Sequence, residues 1–297
     1  MKDCKLIATI PSLNNMNKVK ELFRNEHIAE VRYNTGTVSP YSVQESLRLL
    51  KQLSTAYNKK LWIDIKGRQL RVTEWGNPLF SCISINHNIK VSEDAKIYLR
   101  NGEYCNIKHV VDGHKIFVDP LPKHAVGAGQ SVNILDDDLQ IEGYLTAKDI
   151  EVIERCTTLG MKSFMLSFVE SASDVAEVLN MVHDAELVLK IESQKGMEFV
   201  LNTPIGVRYM AARDDLYIQT GVNMIKHLKT IIQKDKSAIC ASRILLSLEK
   251  GVSPEFCDYA DLEYMYSLGY KEFMLCDNIC NYALEPAVNA WCKWKNR

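Results

Sequence analysis

The sequence lacks the features that mark several classes of protein. Its 297 residues carry 36 basic and 37 acidic side chains, and no basic stripe indicates a nucleic-acid partner. No apolar run is long enough for a membrane helix. The N-terminal segment MKDCKLIATI has neither the apolar length nor the small-residue cleavage site of a signal peptide. We therefore expect a cytoplasmic protein without nucleic-acid or membrane partners.

Motifs for several chemistries are missing too. None of the nine cysteines forms a CxxC pair, so we expect free thiols in a reducing cytosol rather than a zinc site. The GAG at 127–129 is not a phosphate-binding Walker motif, and no Ser-His-Asp arrangement is present. What remains is ordinary globular composition, 46% hydrophobic and 25% charged.

Short apolar runs alternate with amphipathic segments along the chain. Eight of these runs are typical of strands, at 5–10, 29–35, 60–66, 163–169, 186–192, 207–213, 237–243 and 272–277. Helical patterns follow them, and Ser173 is the expected N-cap of one, ASDVAEVLNMVHD. Eight strands, each followed by a helix, predict an α/β fold, the (β/α)₈ or TIM barrel.

One connection departs from this alternation of strands and helices. After the third strand, residues 72–143 hold short alternating segments such as CISINHNIKV and HKIFVD, separated by turn signals such as Asp112-Gly113. We therefore expect a small all-β domain over residues 72–143. The barrel would then comprise residues 1–71 and 144–297.

The fifth strand-like run, ELVLKIE, places a lysine and a glutamate at its end. Because strand side chains alternate, Lys190 and Glu192 point to the same face. A partly buried ion pair or an exposed strand end would explain this pattern, and so would an active site, which such barrels place at the carboxyl ends of their strands. The other predicted strand ends carry Arg32, Asn34, Asp64, Lys66, Arg71, Arg213, Asp215, Ser242, Arg243 and Asp277.

These residue types suit phosphoryl or enolate chemistry. Glu192 and Asp215, on adjacent strands, can share a hard divalent cation that takes oxygen ligands. Lys190 and Arg32 can neutralise a phosphate or a developing enolate oxygen. Ser242 can hydrogen-bond a carboxylate or help relay a proton.

Seven segments resemble motifs of the pyruvate kinase family, and the resemblance extends over nearly the whole chain. They are VRYNTG (RLNFSHG in the family), DIKGRQLR (DTKGPEIR), GQSVNIL…YLTAKD (the exit from the family's lid), SFVESASDV (SFVRSAEDV), LKIESQKG (KIENxEG), AARDDL (ARGDL) and ASRILLSL (ATQMLESM). The resemblance implies a catalytic barrel with an inserted lid. It also implies a glycolytic phosphotransferase for phosphoenolpyruvate or pyruvate, with ADP or ATP, Mg²⁺ or Mn²⁺, and K⁺, acting through a metal-stabilised enolate.

The resemblance also assigns roles to residues. Arg32 would hold the phosphate of phosphoenolpyruvate, and Lys190 would stabilise the transferring phosphoryl group and the enolate. Glu192 and Asp215 would bind magnesium. Ser242 stands where the family has a threonine beside the substrate carboxylate, near the carbon that is protonated.

Further roles concern other ions and the nucleotide. Asn34 and Asp64 match two ligands of the family's potassium ion, and Arg71 matches an arginine near the nucleotide phosphates. Asp214, with Asp215, falls in the substrate-binding segment, where the family has a glycine whose backbone meets the substrate carboxylate. A carboxylate there is expected to weaken anion binding unless the metal or a different substrate compensates.

Other positions depart from the family pattern. Gly36 replaces a potassium-ligating serine, Gln69 a nearby glutamate, Thr37 a histidine and Gln130 a lysine of the nucleotide site, and MLCDNI lacks the glutamate of MLSGET. The 297 residues also hold no counterpart of the family's C-terminal regulatory domain. The family assembles through its barrel and that domain, and half of that interface has no counterpart in these residues, so the resemblance is compatible with a homodimer and implies no more.

Three functions therefore stay open. The first is a pyruvate kinase-like phosphotransferase. The second is a lyase, decarboxylase or phosphoenolpyruvate-dependent biosynthetic transferase of the same descent that does not use ADP, favoured by the changes at Thr37 and Gln130. The third is a non-catalytic metabolite-binding barrel, against which the retained pair Glu192 and Asp215 argues.

Overall fold

The computed structural model describes residues 2–74, 82–99, 102–203 and 206–297. In these ranges the strands are β1 (Lys5–Thr9), β2 (Ile28–Asn34), β3 (Lys60–Ile65), β4 (Cys82–Ser84), β5 (Ile89–Lys90), β6 (Lys96–Leu99), β7 (Glu103–Val111), β8 (Lys115–Asp119), β9 (Asn133–Leu135), β10 (Gln140–Ile141), β11 (Ser163–Leu166), β12 (Glu186–Ile191), β13 (Tyr209–Ala212), β14 (Ile239–Ala241) and β15 (Glu272–Leu275). The helices are α1 (Met16–Arg24), α2 (Val43–Ala56), α3 (Ala147–Thr158), α4 (Ala172–Met181), α5 (Gln194–Asn202), α6 (Arg213–Thr220), α7 (Met224–Lys234), α8 (Phe256–Leu268), α9 (Asp277–Tyr282) and α10 (Leu284–Lys295).

Eight parallel strands close into a barrel in the order β1, β15, β14, β13, β12, β11, β3, β2. The predicted (β/α)₈ fold is therefore confirmed. Strands covered on both faces need apolar side chains, and the Leu187–Leu189 stretch of β12 and the whole of β13 have them. The barrel interior is filled by alternate residues of the strands: Ile7, Trp62, Met165, Val188, Met210, Ile239, Ala241 and Met274.

Polar caps fix where the barrel helices begin. At the start of α2, Ser42 and Glu45 form a capping box in which each side chain accepts a hydrogen bond from the other's backbone N–H. The N-cap of α4 is Ser171, so the expectation of Ser173 is wrong by two residues. The buried carboxylate of Asp174 decides this start, because it accepts hydrogen bonds from the N–H groups of Glu170 and Ser171.

By its contacts the chain divides into two compact units, residues 66–150 and the remainder. This inserted unit is wider than the expected 72–143. Residues at its two ends bond to each other, since the N–H of Lys66 donates to Asp149. Residues 75–81 and 100–101 of the expected insertion lie outside the described residues.

The inserted unit has a hydrophobic core of its own around an antiparallel sheet ordered β4, β8, β7, β6, β9. Its first and last segments are tied together by His87, which is buried. One ring nitrogen of His87 lies 2.9 Å from the carbonyl oxygen of Gly67, and the other lies 3.2 Å from that of Glu142. Gly67 adopts φ +48° against the ring of Tyr144, where a Cβ would overlap the ring carbons.

Two further observations bear on the expectations from composition. Every cysteine lies among the described residues, and each is a free thiol. In the described ranges no helix combines the length and the apolar character that crossing a bilayer requires.

Candidate active site

At the carboxyl end of the barrel the inward-facing positions change from apolar to polar. Strand residues two apart share a face, so the residues that follow the buried Trp62, Met165 and Val188 by two continue the same inward rows. These residues are Asp64, Ser167 and Lys190, and all three are buried. The period of the strands therefore places a carboxylate, a hydroxyl and an ammonium group directly above the apolar interior.

The ammonium group of Lys190 is the centre of this arrangement. Its Nζ donates to Ser167 Oγ at 2.7 Å and lies 3.3 Å from Asp64 Oδ1 and 3.2 Å from Glu192 Oε1. Burial lowers the pKa of Lys190, but the nearby Asp64 and Glu192 carboxylates more than offset this, and the pKa lies above its usual value. Lys190 is therefore held as a cation. Lys190 and Glu192 therefore form an ion pair, as one interpretation of the sequence predicted, but the pair is buried and is one of several contacts of Lys190.

Asp64 joins Lys190 to a second cation. Its side chain is 0% exposed, accepts a hydrogen bond from Ser167 Oγ at 3.1 Å, and forms a salt bridge with the Nη2 of Arg32. An unpaired carboxylate would be very costly at such a position, and the two cations and the hydroxyl supply the compensation. Asp64 thus fixes the relative positions of Arg32 and Lys190.

Arg32 reaches across the mouth of the barrel from β2. Its Nη1 donates to Thr9 Oγ1 at 3.2 Å and to Asp277 Oδ2 at 3.0 Å. The other oxygen of Asp277 accepts from Asn34 Nδ2 at 2.8 Å. Burial lowers the pKa of Arg32, but the Asp64 and Asp277 carboxylates raise it by more, so the pKa lies above its ordinary value.

Glu192 is positioned by an unusual backbone conformation. Its Oε2 accepts a hydrogen bond of 2.8 Å from the N–H of Phe168, which follows β11. Phe168 has φ +48°, the left-handed region that a residue with a Cβ rarely adopts. We interpret this strained turn as the means by which the backbone N–H is presented to the carboxylate.

A second group of contacts lies on the loop after β14. Arg213 is buried and donates to the carbonyl of Ser242 from Nε at 3.1 Å and from Nη2 at 2.7 Å, while it forms a bidentate pair with Asp261. Ser242 and Arg243 both have left-handed φ values, +63° and +57°. The hydrogen bonds from Arg213 therefore hold a strained loop in place.

Asp214, the carboxylate expected to weaken anion binding, has a cationic neighbour. The Nε of Arg243 donates to Asp214 Oδ1 at 2.7 Å, and its guanidinium lies over the ring of Tyr217, 4.8 Å from the centroid. The negative charge that Asp214 adds is thus balanced locally. The expectation of weakened binding did not include this pairing.

Arg71 and Gln130, the positions that the resemblance relates to a nucleotide, lie in the inserted unit. The guanidinium of Arg71 donates to Gln69 Oε1 from Nε at 3.0 Å and from Nη2 at 2.6 Å, and to the carbonyl of Gly129 from Nη1 at 2.6 Å. Gln130 Oε1 accepts a hydrogen bond of 3.3 Å from the N–H of Gly127. Both side chains thus have partners within their own unit.

The structure brings six of the residues singled out in the sequence into one network of contacts, namely Arg32, Asn34, Asp64, Lys190, Glu192 and Asp277. Asp215 lies in the first turn of α6, close enough for its charge to raise the pKa of Lys190. Sequence reasoning gave no role to Thr9, Ser167, Asp277 or Arg243. A period-2 count from Met165 would have found Ser167.

The oxygen donors of the site differ in how well they suit the cations that the resemblance implies. Glu192 and Asp215 provide carboxylate oxygens, which suit a Mg²⁺ that keeps waters and substrate oxygens as its other ligands. No group of three or more His, Cys, Asp or Glu side chains in the described ranges is arranged to hold a metal alone. At the potassium positions, a further cation would share Asp64 with the charges of Arg32 and Lys190, so K⁺ fits less well.

Comparisons with known proteins agree with the fold. The family model described as "Pyruvate kinase, barrel domain" matches residues 82–276. Pyruvate kinase of Mycoplasma genitalium is 19% identical over 301 aligned positions, which cover 84% of this chain and 57% of the relative. Pyruvate kinase of Mycoplasma pneumoniae is 21% identical over 254 positions, which cover 80% of this chain and 48% of the relative. The chain spans about half the length of the curated relatives it matches.

Proposed function

The chain belongs to the pyruvate kinase family, and from this premise we propose that it is a phosphotransferase acting on phosphoenolpyruvate or pyruvate with Mg²⁺. The single observation that carries the proposal is the buried Lys190 ammonium group, held between Asp64, Ser167 and Glu192. A fixed cation in a site shielded from water stabilises developing negative charge far better than one in solvent. It suits both a transferring phosphoryl group and the oxygen of an enolate.

The other residues of the network would divide the substrate between them. Arg32 would bind the phosphate, because its guanidinium is charged at all working pH values and matches phosphate geometry. Glu192 and Asp215 would hold Mg²⁺, which when bound would neutralise phosphoryl and enolate charge. Ser242 would hydrogen-bond the substrate carboxylate and help to pass a proton to the neighbouring carbon.

The loop after β14 would bind the carboxylate end of the substrate. Asp214 alone would repel an anion, but its pairing with Arg243 supports binding there because the two charges cancel. The inserted unit, residues 66–150, would serve as the lid that resembles the family's. A lid excludes water from the reacting groups and so strengthens the electrostatic contribution of Lys190.

A second function is favoured by a specific observation on the nucleotide side. Arg71 donates to Gln69 and Gly129 within its own unit, and Gln130 replaces the lysine that the family places near the nucleotide phosphates. These contacts favour a lyase, decarboxylase or phosphoenolpyruvate-dependent transferase that handles the same enolate without ADP. The two candidates share the Lys190 chemistry at the enolate and differ in whether ADP takes part in the reaction.

The experiment that tests the proposal follows both products. The protein is mixed with phosphoenolpyruvate and Mg²⁺, with and without ADP and K⁺. Pyruvate is measured by a coupled dehydrogenase, and phosphorus by NMR. Pyruvate and ATP in equal amounts would support the kinase. A Mg²⁺-dependent shift of the phosphoenolpyruvate signal without ATP would favour the second function, and no shift at all would leave a metabolite-binding barrel that does not recognise this substrate.

The role of Lys190 has its own test. Lys190→Met removes the charge and keeps most of the length of the side chain, so we expect turnover to fall by about 10³-fold or more, as when other preorganised charge-stabilising groups are removed. Lys60→Met is the matched control, since it removes a lysine of β3 that pairs with Glu186. Equal activity of the two variants would contradict the role given to Lys190.

A further inference from the structure

The most exposed partner of Arg32 is a carboxylate of the chain itself. Building on the proposed function, we infer that Asp277 is a resident competitor for the anion-binding position on Arg32. A ligand phosphate would have to displace the Asp277 carboxylate before it could pair with this arginine. Asp277 would then set how tightly the site binds phosphoryl ligands and how readily it releases them.

The carboxylate of Asp277 is held by two donors, in the way that a protein holds a bound anion. One oxygen accepts from Arg32 Nη1 at 3.0 Å, and the other accepts from Asn34 Nδ2 at 2.8 Å. Arg32 and Asn34 are two apart on β2 and share a face, so together they present a pair of donors. A carboxylate and a phosphate offer similar pairs of oxygens to such donors, which makes Asp277 and a phosphoryl ligand alternatives at one place.

Arg32 does not need Asp277 to hold its position. Its Nη2 is paired with Asp64, which is 0% exposed, and its Nη1 also donates to Thr9 Oγ1 at 3.2 Å. Asp277, by contrast, is 35% exposed and is the carboxylate partner of Arg32 that solvent reaches more. A ligand that arrives from solvent therefore meets Asp277 first.

The charges of the cluster make the competition matter. Arg32 and Lys190 contribute two positive charges, while Asp64, Glu192 and Asp277 contribute three negative ones, so these five paired groups sum to −1. A multiply charged anion entering this cluster is repelled unless a carboxylate withdraws or a cation enters with it. Displacing Asp277 removes one negative charge from the cluster and makes a donor of Arg32 available to the ligand.

The competitor role and a positioning role predict opposite signs. If Asp277 only positioned Arg32, then Asp277→Asn would weaken anion binding. If Asp277 competes, then Asp277→Asn, which keeps the shape and removes the charge, would strengthen it. The measurement is the dissociation constant of inorganic phosphate and of phosphoenolpyruvate with Mg²⁺ and without ADP, obtained by phosphorus NMR titration of the full chain.

We expect both dissociation constants to fall by about tenfold in Asp277→Asn, because the ligand then forms a charge-assisted hydrogen bond with Arg32 without displacing a charged competitor. Asp184→Asn is the matched control, since it removes the same charge from an exposed pair with Lys162 and should change nothing. Asp277→Gly, which also removes the side chain, should bind at least as tightly as Asp277→Asn. This second variant keeps the test decisive if the asparagine side chain of the first variant forms a new contact with Arg32.

Weaker or unchanged binding in both Asp277 variants would overturn the competitor role. The outcome is separable from the fate of the proposed function. Tighter phosphate binding in the variants of a protein that never turns over phosphoenolpyruvate would uphold the inference and reject the kinase. Normal turnover with no increase in affinity would do the reverse.

Discussion

The two ends of the barrel carry the same kinds of ion pair in different surroundings. At the amino end Lys60 pairs with Glu186, and Arg208 pairs with Glu186 and with Glu272, while at the carboxyl end Arg32 and Lys190 share Asp64. Glu186 is 48% exposed, whereas Asp64 is 0% exposed. Solvent screens the pair of Lys60 with Glu186, whereas Arg208 and Glu272 are less exposed. The carboxyl-end set lies in a medium of low dielectric where charges act strongly on one another.

This difference indicates what each set is for. The amino-end pairs surround the buried Trp62, whose Nε1 donates to Glu30 at 2.6 Å and whose ring lies below the Nζ of Lys60 at 4.2 Å. Such pairs contribute modestly to stability where they are exposed. The carboxyl-end charges cost free energy to bury and add little net stability, so a functional reason for keeping them is the better explanation.

The largest expected effect is at Asp64. Asp64→Asn leaves Arg32 and Lys190 buried without the carboxylate that pairs with both, and we expect the free energy of unfolding to fall by about 3–5 kcal/mol. Glu186→Gln, the equivalent change at the amino end, should cost less than about 1 kcal/mol because its charge is exposed. Urea unfolding of both variants measures this. Equal losses would show that burial does not separate the two ends.

The closed barrel and the shared face of Lys190 and Glu192 could be predicted because they depend on local periodicity. The alternation of side chains along one strand and the alternation of strands with helices both follow from residues that are close together in the sequence. The start of α4 was missed by two residues because several serines there can cap a helix, and only the burial of Asp174 decides among them.

The partners across the barrel could not be predicted in the same way. That Asp64 meets Arg32, or that Asp277 meets Arg32 and Asn34, depends on which strands adjoin and on their relative register. The pairing of Asp214 with Arg243 depends on a loop with left-handed residues other than glycine, for which the sequence has no reliable signal. Strand ends could be predicted to be charged, but not which charges would cancel.

A smaller effect is expected from pH, through Lys190. Its pKa in the folded protein lies above the ordinary value of 10.5, so its contribution to stability is fully present below about pH 10.5 and is lost as the pH rises through the folded value. In Lys190→Met this loss should vanish. The measurement is the difference between the unfolding free energies of the two proteins across the alkaline range, and a difference that does not change with pH would contradict it.

The pair Asp214 and Arg243 tests whether burial or position in the barrel decides how much an ion pair contributes to stability. It lies on the carboxyl side of the strands, yet both side chains are more than a third exposed, as at the amino end. We expect Asp214→Gly or Arg243→Gln to change stability by less than about 1 kcal/mol. For substrate binding the signs should differ, because Asp214→Gly leaves a cation and Arg243→Gln leaves an anion beside the position proposed for the substrate carboxylate.

We therefore expect KM for phosphoenolpyruvate to fall by about two- to fivefold in Asp214→Gly and to rise by a similar factor in Arg243→Gln, as suits one partly screened charge. The double variant should return close to the parent value. Steady-state kinetics on the three variants measures this. If KM changed in the same direction in both single variants, the two charges would not compensate each other.

The smallest effect is the coupling between Lys60 and Glu186. In a double-mutant cycle of Lys60→Met and Glu186→Gln, we expect a coupling free energy of about 0.2–1 kcal/mol at low salt, because solvent weakens an exposed pair and ordering two long side chains costs entropy. The coupling should disappear at about 1 M salt, where the Debye length is about 3 Å. The same salt should leave the loss in Asp64→Asn almost unchanged, since ions cannot screen a pair that water does not reach. A salt-insensitive coupling at the amino end would mean that the interaction between Lys60 and Glu186 does not depend on their charges.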